Sequence, residues 1–197
     1  MLSSSDYLDL WKTCRLTSSP ACLTILSRIC TAAITNSTLY SVVERKSCIP
    51  WPVIAAIHYR ESDQDFKRHF HNGDPLTART VHVPQGRPAT GSPPFTWIDS
   101  ATDALNGGLW RPHNWAIEDC LEFMERYNGV GYQKRGINSP YVWDFTNQYT
   151  SGLFISDGTF DANKKESRAG GAAFLIGLYN LGVSLDFRAF SDDTVLN

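Results

Sequence analysis

The chain has 197 residues, 42% of them hydrophobic and 19% charged, with a formal net charge of −2. That is the composition of a folded chain long enough to bury a substantial core, and it excludes wholesale disorder. A charge so near neutral gives no electrostatic reason to expect nucleic acid or a membrane surface as partner, and no apolar run approaches the roughly 20 residues that a spanning helix needs.

In chain order, Leu8, Trp11 and Cys14 recur at helical spacing within residues 5–15, with Ser4 or Ser5 placed to cap the helix. Ser19-Pro20 ends that element. Residues 22–34 and 38–45 read as two further helices with Asn36-Ser37 as the turn between them, and the three are expected to form a helical wall behind the segment that follows. The N-terminus lacks a basic stretch leading into an apolar one, so no cleaved secretory signal is expected. Cys14, Cys22, Cys30, Cys48 and Cys120 contain no Cys-x-x-Cys pair. Free, mostly buried thiols are expected, one or two N-terminal disulfides being the alternative.

The stretch from Ile49 to Ser62 places a carboxylate where an ordinary surface helix would not. Pro52 suits a first helical turn, where a missing N–H costs nothing. Val53, Ile54 and Ile57 lie eight, seven and four residues before Glu61 and share its helix face. A carboxyl ending such a stripe is partly desolvated, which raises its pKa toward the range of a general acid. The alternative is a helix-end Glu that reaches water or pairs with Arg60 or Arg68.

Residues 62–68 are polar, and His71-Asn72-Gly73-Asp74-Pro75 is a turn sequence. Residues 76–83 alternate, with Val81 and Val83 on one face, and predict one arm of a small β-hairpin. Residues 84–94 hold Pro84, Gly86, Pro88, Gly91, Pro93 and Pro94 and predict a long loop lining a cleft, a surface excursion being the alternative. Helices are expected over 97–105, capped by Asp99 or Ser100, and over 114–127, stopped by Asn128-Gly129. After an aromatic-rich stretch at 140–149, residues 151–160 read as a turn-rich connection. A last helix is expected over 167–181, where Gly170-Gly171 would permit close helix approach. Without repeats or linkers the chain reads as a single domain, 1–197: an N-terminal wall to residue 48, a core over 49–181 and a tail over 182–197.

Asp74, thirteen residues after Glu61 and in a turn, is expected to be solvated and ionised. Two carboxyl groups in contrasting environments suit glycoside hydrolysis, one protonating the leaving oxygen and the other serving water or a developing positive charge. A turn residue bonding its own backbone is the alternative for Asp74. His69 and His71 fall on one side of an extended segment, near His58 and His82 in sequence, but no ligand pattern accompanies them and no metal site is expected. His58 is expected to be a packing residue. Ser62 lacks the context of a serine nucleophile.

Val53-Ile-Ala-Ala-Ile-His-Tyr-Arg-Glu-Ser62 resembles the helix-terminal Glu-Ser signature of goose-type lysozymes and the related lytic transglycosylases. Glu125-Arg-Tyr-Asn-Gly129 resembles their Tyr-Asn-x-Gly element, and Tyr141 or Tyr149 would stand for a later tyrosine. The stretches His71-Asn-Gly-Asp-Pro-Leu-Thr77, Pro93-Pro-Phe-Thr-Trp97, Ser100-Ala-Thr-Asp-Ala104 and Asn138-Ser-Pro-Tyr141 also resemble lysozyme-like proteins of phages and bacteria, so the similarity spans about residues 45–180. The Gly-Leu-Met-Gln-type segment that follows the Glu-Ser in those families is missing, and Leu76 to Pro84 occupies its part of the chain.

The resemblance implies a mostly helical α+β, lysozyme-like fold with a helical lobe, a small β-hairpin and a cleft between them. It implies an N-acetylmuramidase that cleaves the β-1,4 bond between N-acetylmuramic acid and N-acetylglucosamine, with Glu61 as general acid and Asp74 assisting water. Thr77 and Thr80 would help orient that water, while Tyr127, Asn128, Tyr141 and Trp97 or Trp143 would contact sugar. No cofactor is implied. The expected partner is the peptidoglycan glycan strand, bound by a monomer. Lack of a signal suits a phage endolysin held in the host cytoplasm until release, a bacterial housekeeping enzyme fitting as well. The alternatives are a lytic transglycosylase using Glu61 alone, a chitinase or chitosanase on the same fold, and a wall-binding or virion structural protein.

Overall fold

Helices dominate the chain because its apolar residues recur mostly at three- and four-residue spacing, and the sheet among the described residues is small. The computed structural model describes residues 2–17, 19–156 and 158–186. Among these are the helices α1 (Ser4–Lys12), α2 (Pro20–Thr35), α3 (Ser37–Ser47), α4 (Trp51–Ser62), α5 (Trp97–Leu105), α6 (Ile117–Asn128), α7 (Pro140–Trp143) and α8 (Gly171–Asn180). Strands β1 (Leu153–Ser156) and β2 (Thr159–Asp161) form a two-stranded antiparallel sheet. The chain is therefore α+β and mostly helical. No helix among the described residues is long and apolar enough to cross a membrane.

Contacts divide the chain into two compact units, residues 31–111 and residues 1–30 with 112–197, the division falling inside α2. In the unit 31–111, α3 packs on both α4 and α5. The expected apolar stripe on α4 is in fact burial on every side: each residue from Pro52 to Arg60 is buried. Ridges of α3 cover one side, and the loop after α4 folds back over the rest through Phe66 and Phe70, which close on His58. Asp63 and Gln64 follow α4 in left-handed conformation, φ 55° and 61°, and return their N–H groups to Tyr59 and His58. α5 spans the expected residues, but its cap is Thr96, three residues before Asp99. Thr96 accepts from the Asp99 N–H while the Asp99 carboxylate accepts from the Thr96 N–H and hydroxyl, a reciprocal capping box that frees Ser100 to point inward.

The expected hairpin arm over 76–83 is absent. Apart from an isolated bridge between Arg68 and Pro75, residues 63–96 contain no strand pairing, because Asp74 and Thr80 engage backbone groups there that a ladder would need. The sheet instead lies within 151–160 and on to Asp161, where a turn-rich connection was expected. Gly158, in left-handed conformation at φ 72°, supplies the reversal.

In the other unit α1 packs on α6, and of the expected helical wall it is α3 that packs on α4 within the unit 31–111. Ser3, not Ser4 or Ser5, caps α1 by donating its N–H to Asp6 at 2.7 Å. α8 packs on α7 and α6. The expectation for the glycine pair holds: a Cβ at Gly170 would lie 2.5 Å from the Val142 carbonyl, and one at Gly171 would meet Met124. The expected tail beyond 186 lies outside the described residues.

Candidate active site

Glu61 stands half-buried in the last turn of α4, at the point where a wholly buried helix reaches the surface of its unit. The turn before it is held by His58, which is 0% exposed and sits among Tyr40, Phe66, Phe70 and Trp97. Trp97 donates its indole N–H to His58 Nε2 at 2.9 Å, so Nδ1 carries the ring proton and donates to the Tyr40 hydroxyl at 3.0 Å. Burial pushes the His58 pKa down to about 3 and keeps the ring neutral. The imidazole is thus a packing residue, as its sequence position suggested.

Gly73 brings the following turn against Glu61. Its φ is +78°, and a Cβ placed there would lie 3.5 Å from the Glu61 carbonyl oxygen. The next residue, Asp74, departs from expectation in one respect: it is 7% exposed, not solvated. Its Oδ2 accepts from the Val81 N–H at 2.8 Å, the His82 N–H at 3.0 Å and the Asn72 amide at 3.2 Å. Its Oδ1 accepts from His82 Nδ1 at 2.6 Å. Burial disfavours the charge, but the His82 N–H, the His82 ring and the Val81 N–H together outweigh it and hold the carboxyl at about 2. Asp74 is therefore ionised, as expected, yet its lone pairs are largely committed to the protein. The residue that bonds its own turn is Asn72, whose side-chain oxygen accepts from the Asp74 N–H.

These bonds fix the loop that follows. Thr80, 2% exposed, donates its hydroxyl to the Pro84 carbonyl and accepts from the Arg87 N–H, while its backbone pairs with Arg87 and Gly86. Its hydroxyl braces the loop, with its proton committed to the Pro84 carbonyl. Between Asp74 and Thr80 on one side and Arg87 on the other, the segment Val81-His82-Val83 is held out to solvent. The side chain of His82 is 78% exposed, and its Nε2 has no partner among the described residues. Thr77 is exposed.

His69 and His71 do face one side, toward Ser100. The Ser100 hydroxyl lies 2.8 Å from His69 Nδ1 and 3.3 Å from His71 Nδ1, and accepts from the Phe70 N–H. His71 Nε2 donates to Asp103, which also pairs with Arg87 at 2.8 Å. Burial lowers the His71 pKa, although Asp103 acts in the opposite sense. No group of three metal-ligating side chains occurs among the described residues. Arg87 and Asp103 line a polar cavity of about 460 Å³ together with Lys46, Thr90, Phe95 and Thr102. Glu61 and His82 are not among its lining residues, so this cavity and the acid are separate features.

The remaining predicted sugar contacts divide between the units. Trp97 is buried in the His58 cluster with its N–H committed, so it packs and offers no open ring face. Tyr127 and Asn128 end α6 in the unit 1–30 with 112–197, half-buried and exposed respectively; Tyr141 on α7 and Trp143 are buried there. Glu125, four residues before Gly129, is buried completely and accepts from the Tyr7 hydroxyl at 2.7 Å. Sequence reasoning passed over His82 except as a remote metal ligand. Nothing in the sequence pairs it with Asp74, since the seven intervening residues form no regular element. The chain matches no family model, no curated protein and no solved structure.

Proposed function

We propose that this protein is a glycoside hydrolase of bacterial peptidoglycan, cleaving the β-1,4 bond between N-acetylmuramic acid and N-acetylglucosamine with Glu61 as general acid. The observation that carries the reading is the position of Glu61: a half-buried carboxyl ends a helix whose preceding nine residues are all buried, with the Gly73 turn against its backbone. A rigid helix behind an acid at a surface holds it in one place, which proton transfer to a leaving oxygen requires. The resemblance of Val53 to Ser62 to the Glu-Ser signature names the sugar polymer.

A second reading has one observation in its favour. Asp74 accepts four hydrogen bonds from the protein and has little left for a water, which suits a lytic transglycosylase that uses Glu61 alone. Mass spectrometry of peptidoglycan digested by the wild type and by Glu61→Gln separates these readings. Reducing muropeptides from the wild type that fall at least about a hundredfold in the variant support the hydrolase. Anhydro-muropeptides move the assignment to the transglycosylase, and a wild type that releases nothing sinks both.

A further inference from the structure

We propose that His82, not Asp74, is the base that takes the proton from the attacking water, with Asp74 as the residue that positions it. The inference rests on the glycoside hydrolase reading of Glu61.

The geometry is that of a carboxylate orienting an imidazole. Asp74 Oδ1 and His82 Nδ1 are 2.6 Å apart, and an ionised carboxylate can only accept, so Nδ1 carries the hydrogen. The lone pair is thereby assigned to Nε2, which has no partner among the described residues, on a side chain that is 78% exposed. Exposed histidines ordinarily sample several rotamers and both tautomers. This one is restrained from three directions, since the same carboxylate holds the His82 N–H at 3.0 Å and the Val81 N–H at 2.8 Å, and the Asn72 amide donates to the His82 carbonyl at 3.1 Å. A buried anion spent on the backbone and ring of one exposed histidine is more than loop closure needs, because Thr80 already closes the loop onto Pro84 and Arg87. The dyad follows the acid through Gly73, which directly precedes Asp74 and at which a Cβ would lie 3.5 Å from the Glu61 carbonyl oxygen.

The step balances with water as the only co-reactant. Glu61 gives its proton to the glycosidic oxygen as the bond from that oxygen to the anomeric carbon breaks. The water oxygen bonds to the anomeric carbon, and one water proton passes to His82 Nε2. The imidazolium then releases that proton to solvent, and Glu61 regains one from solvent. Asp74 remains ionised throughout and keeps the Nε2 lone pair directed outward.

The test compares the wild type, His82→Ala, His82→Gln and Glu61→Gln on purified peptidoglycan, with products separated by mass spectrometry and imidazole added to a parallel set. His82 is exposed, so its variants are expected to fold, and circular dichroism checks that they do. The expected result is a loss of about a hundredfold or more in reducing products for both His82 variants. Added imidazole restores them in His82→Ala and not in His82→Gln, whose side chain fills the space. A purely structural role for His82 would not respond to imidazole. His82 variants with wild-type rate and products overturn the inference and leave Glu61 in place. A wild type yielding only anhydro products also overturns it, and one yielding nothing removes the hydrolase reading with it.

Discussion

The indole N–H of Trp97 donates to Nε2 of His58 at 2.9 Å, and that bond fixes the imidazole one turn before Glu61 in a single tautomer. The ring is enclosed by Tyr40, Phe66, Phe70 and Trp97, so charging it would put a cation in an aromatic core with its Nε2 lone pair already used. A neutral histidine is thereby part of the platform that holds the acid.

Stability at mildly acid pH follows from this ring. The His58 pKa is about 3 in the folded chain against an ordinary 6.5, so its contribution is complete above pH 6.5 and is lost as pH falls from there toward 3. Within that window one proton binds to the unfolded chain alone, and the folding equilibrium constant falls about tenfold per pH unit. Denaturant titrations at pH 6, 5 and 4 are expected to show that slope, with pH 7 on the plateau above it. His58→Phe should flatten it while costing about 1–3 kcal/mol at pH 7, because Trp97 and Tyr40 lose their partner. An unchanged slope in His58→Phe would assign the acid sensitivity to other groups.

Thr80→Val is expected to loosen the loop over 80–87 without altering α4. The substitution keeps the shape but removes the acceptor of the Arg87 N–H and the donor to Pro84, for a cost of about 1–3 kcal/mol. Hydrogen exchange should quicken at Gly86 and Arg87 and stay slow from Ile54 to Tyr59. Fast exchange spreading into α4 would show that loop and helix open as one unit.

Glu125→Gln should change the alkaline side of the stability profile. Burial raises the Glu125 pKa above its ordinary 4.5, opposed by the bond from the Tyr7 hydroxyl. A carboxyl with a raised pKa contributes fully below its unfolded value and loses that contribution as pH rises through the folded one. His58 is common to both proteins, so Glu125 shows in their difference: as pH rises from 5 to 8 the wild type is expected to lose stability relative to Glu125→Gln, which stays neutral throughout. Thermal melts of the two proteins at both pH values decide it.

Gly170→Ala is expected to be severely destabilising although its backbone angles suit alanine. The added Cβ would lie 2.5 Å from the Val142 carbonyl and 2.7 Å from the Asp144 nitrogen, both main-chain atoms that can yield only if α7 and α8 separate. Overpacking against backbone costs about 3 kcal/mol or more. Soluble yield and melting temperature report it, and near-wild-type values would mean that α7 shifts freely.

The sequence by itself determined the helices and the place of the candidate acid. The 3.6-residue pattern set Trp97–Leu105 to the residue and α4 to within two residues at its start, since both are local regularities that packing reinforces. It also marked Glu61 as a carboxyl following an apolar run and Gly170-Gly171 as a close approach. Tertiary structure alone decided what Asp74, Thr80, Trp97 and His82 do. Asp74 looked like a solvated turn carboxylate because local sequence shows the turn and not the loop that folds back over it. Alternation over 76–83 suggested a strand, but the carboxylate of Asp74 and the hydroxyl of Thr80 took the backbone bonds that a partner strand would have made. Trp97 was legible as an aromatic and not as the partner of a histidine 39 residues earlier. Side chains that meet through irregular loops share no period, so their pairing is written only in the packed chain.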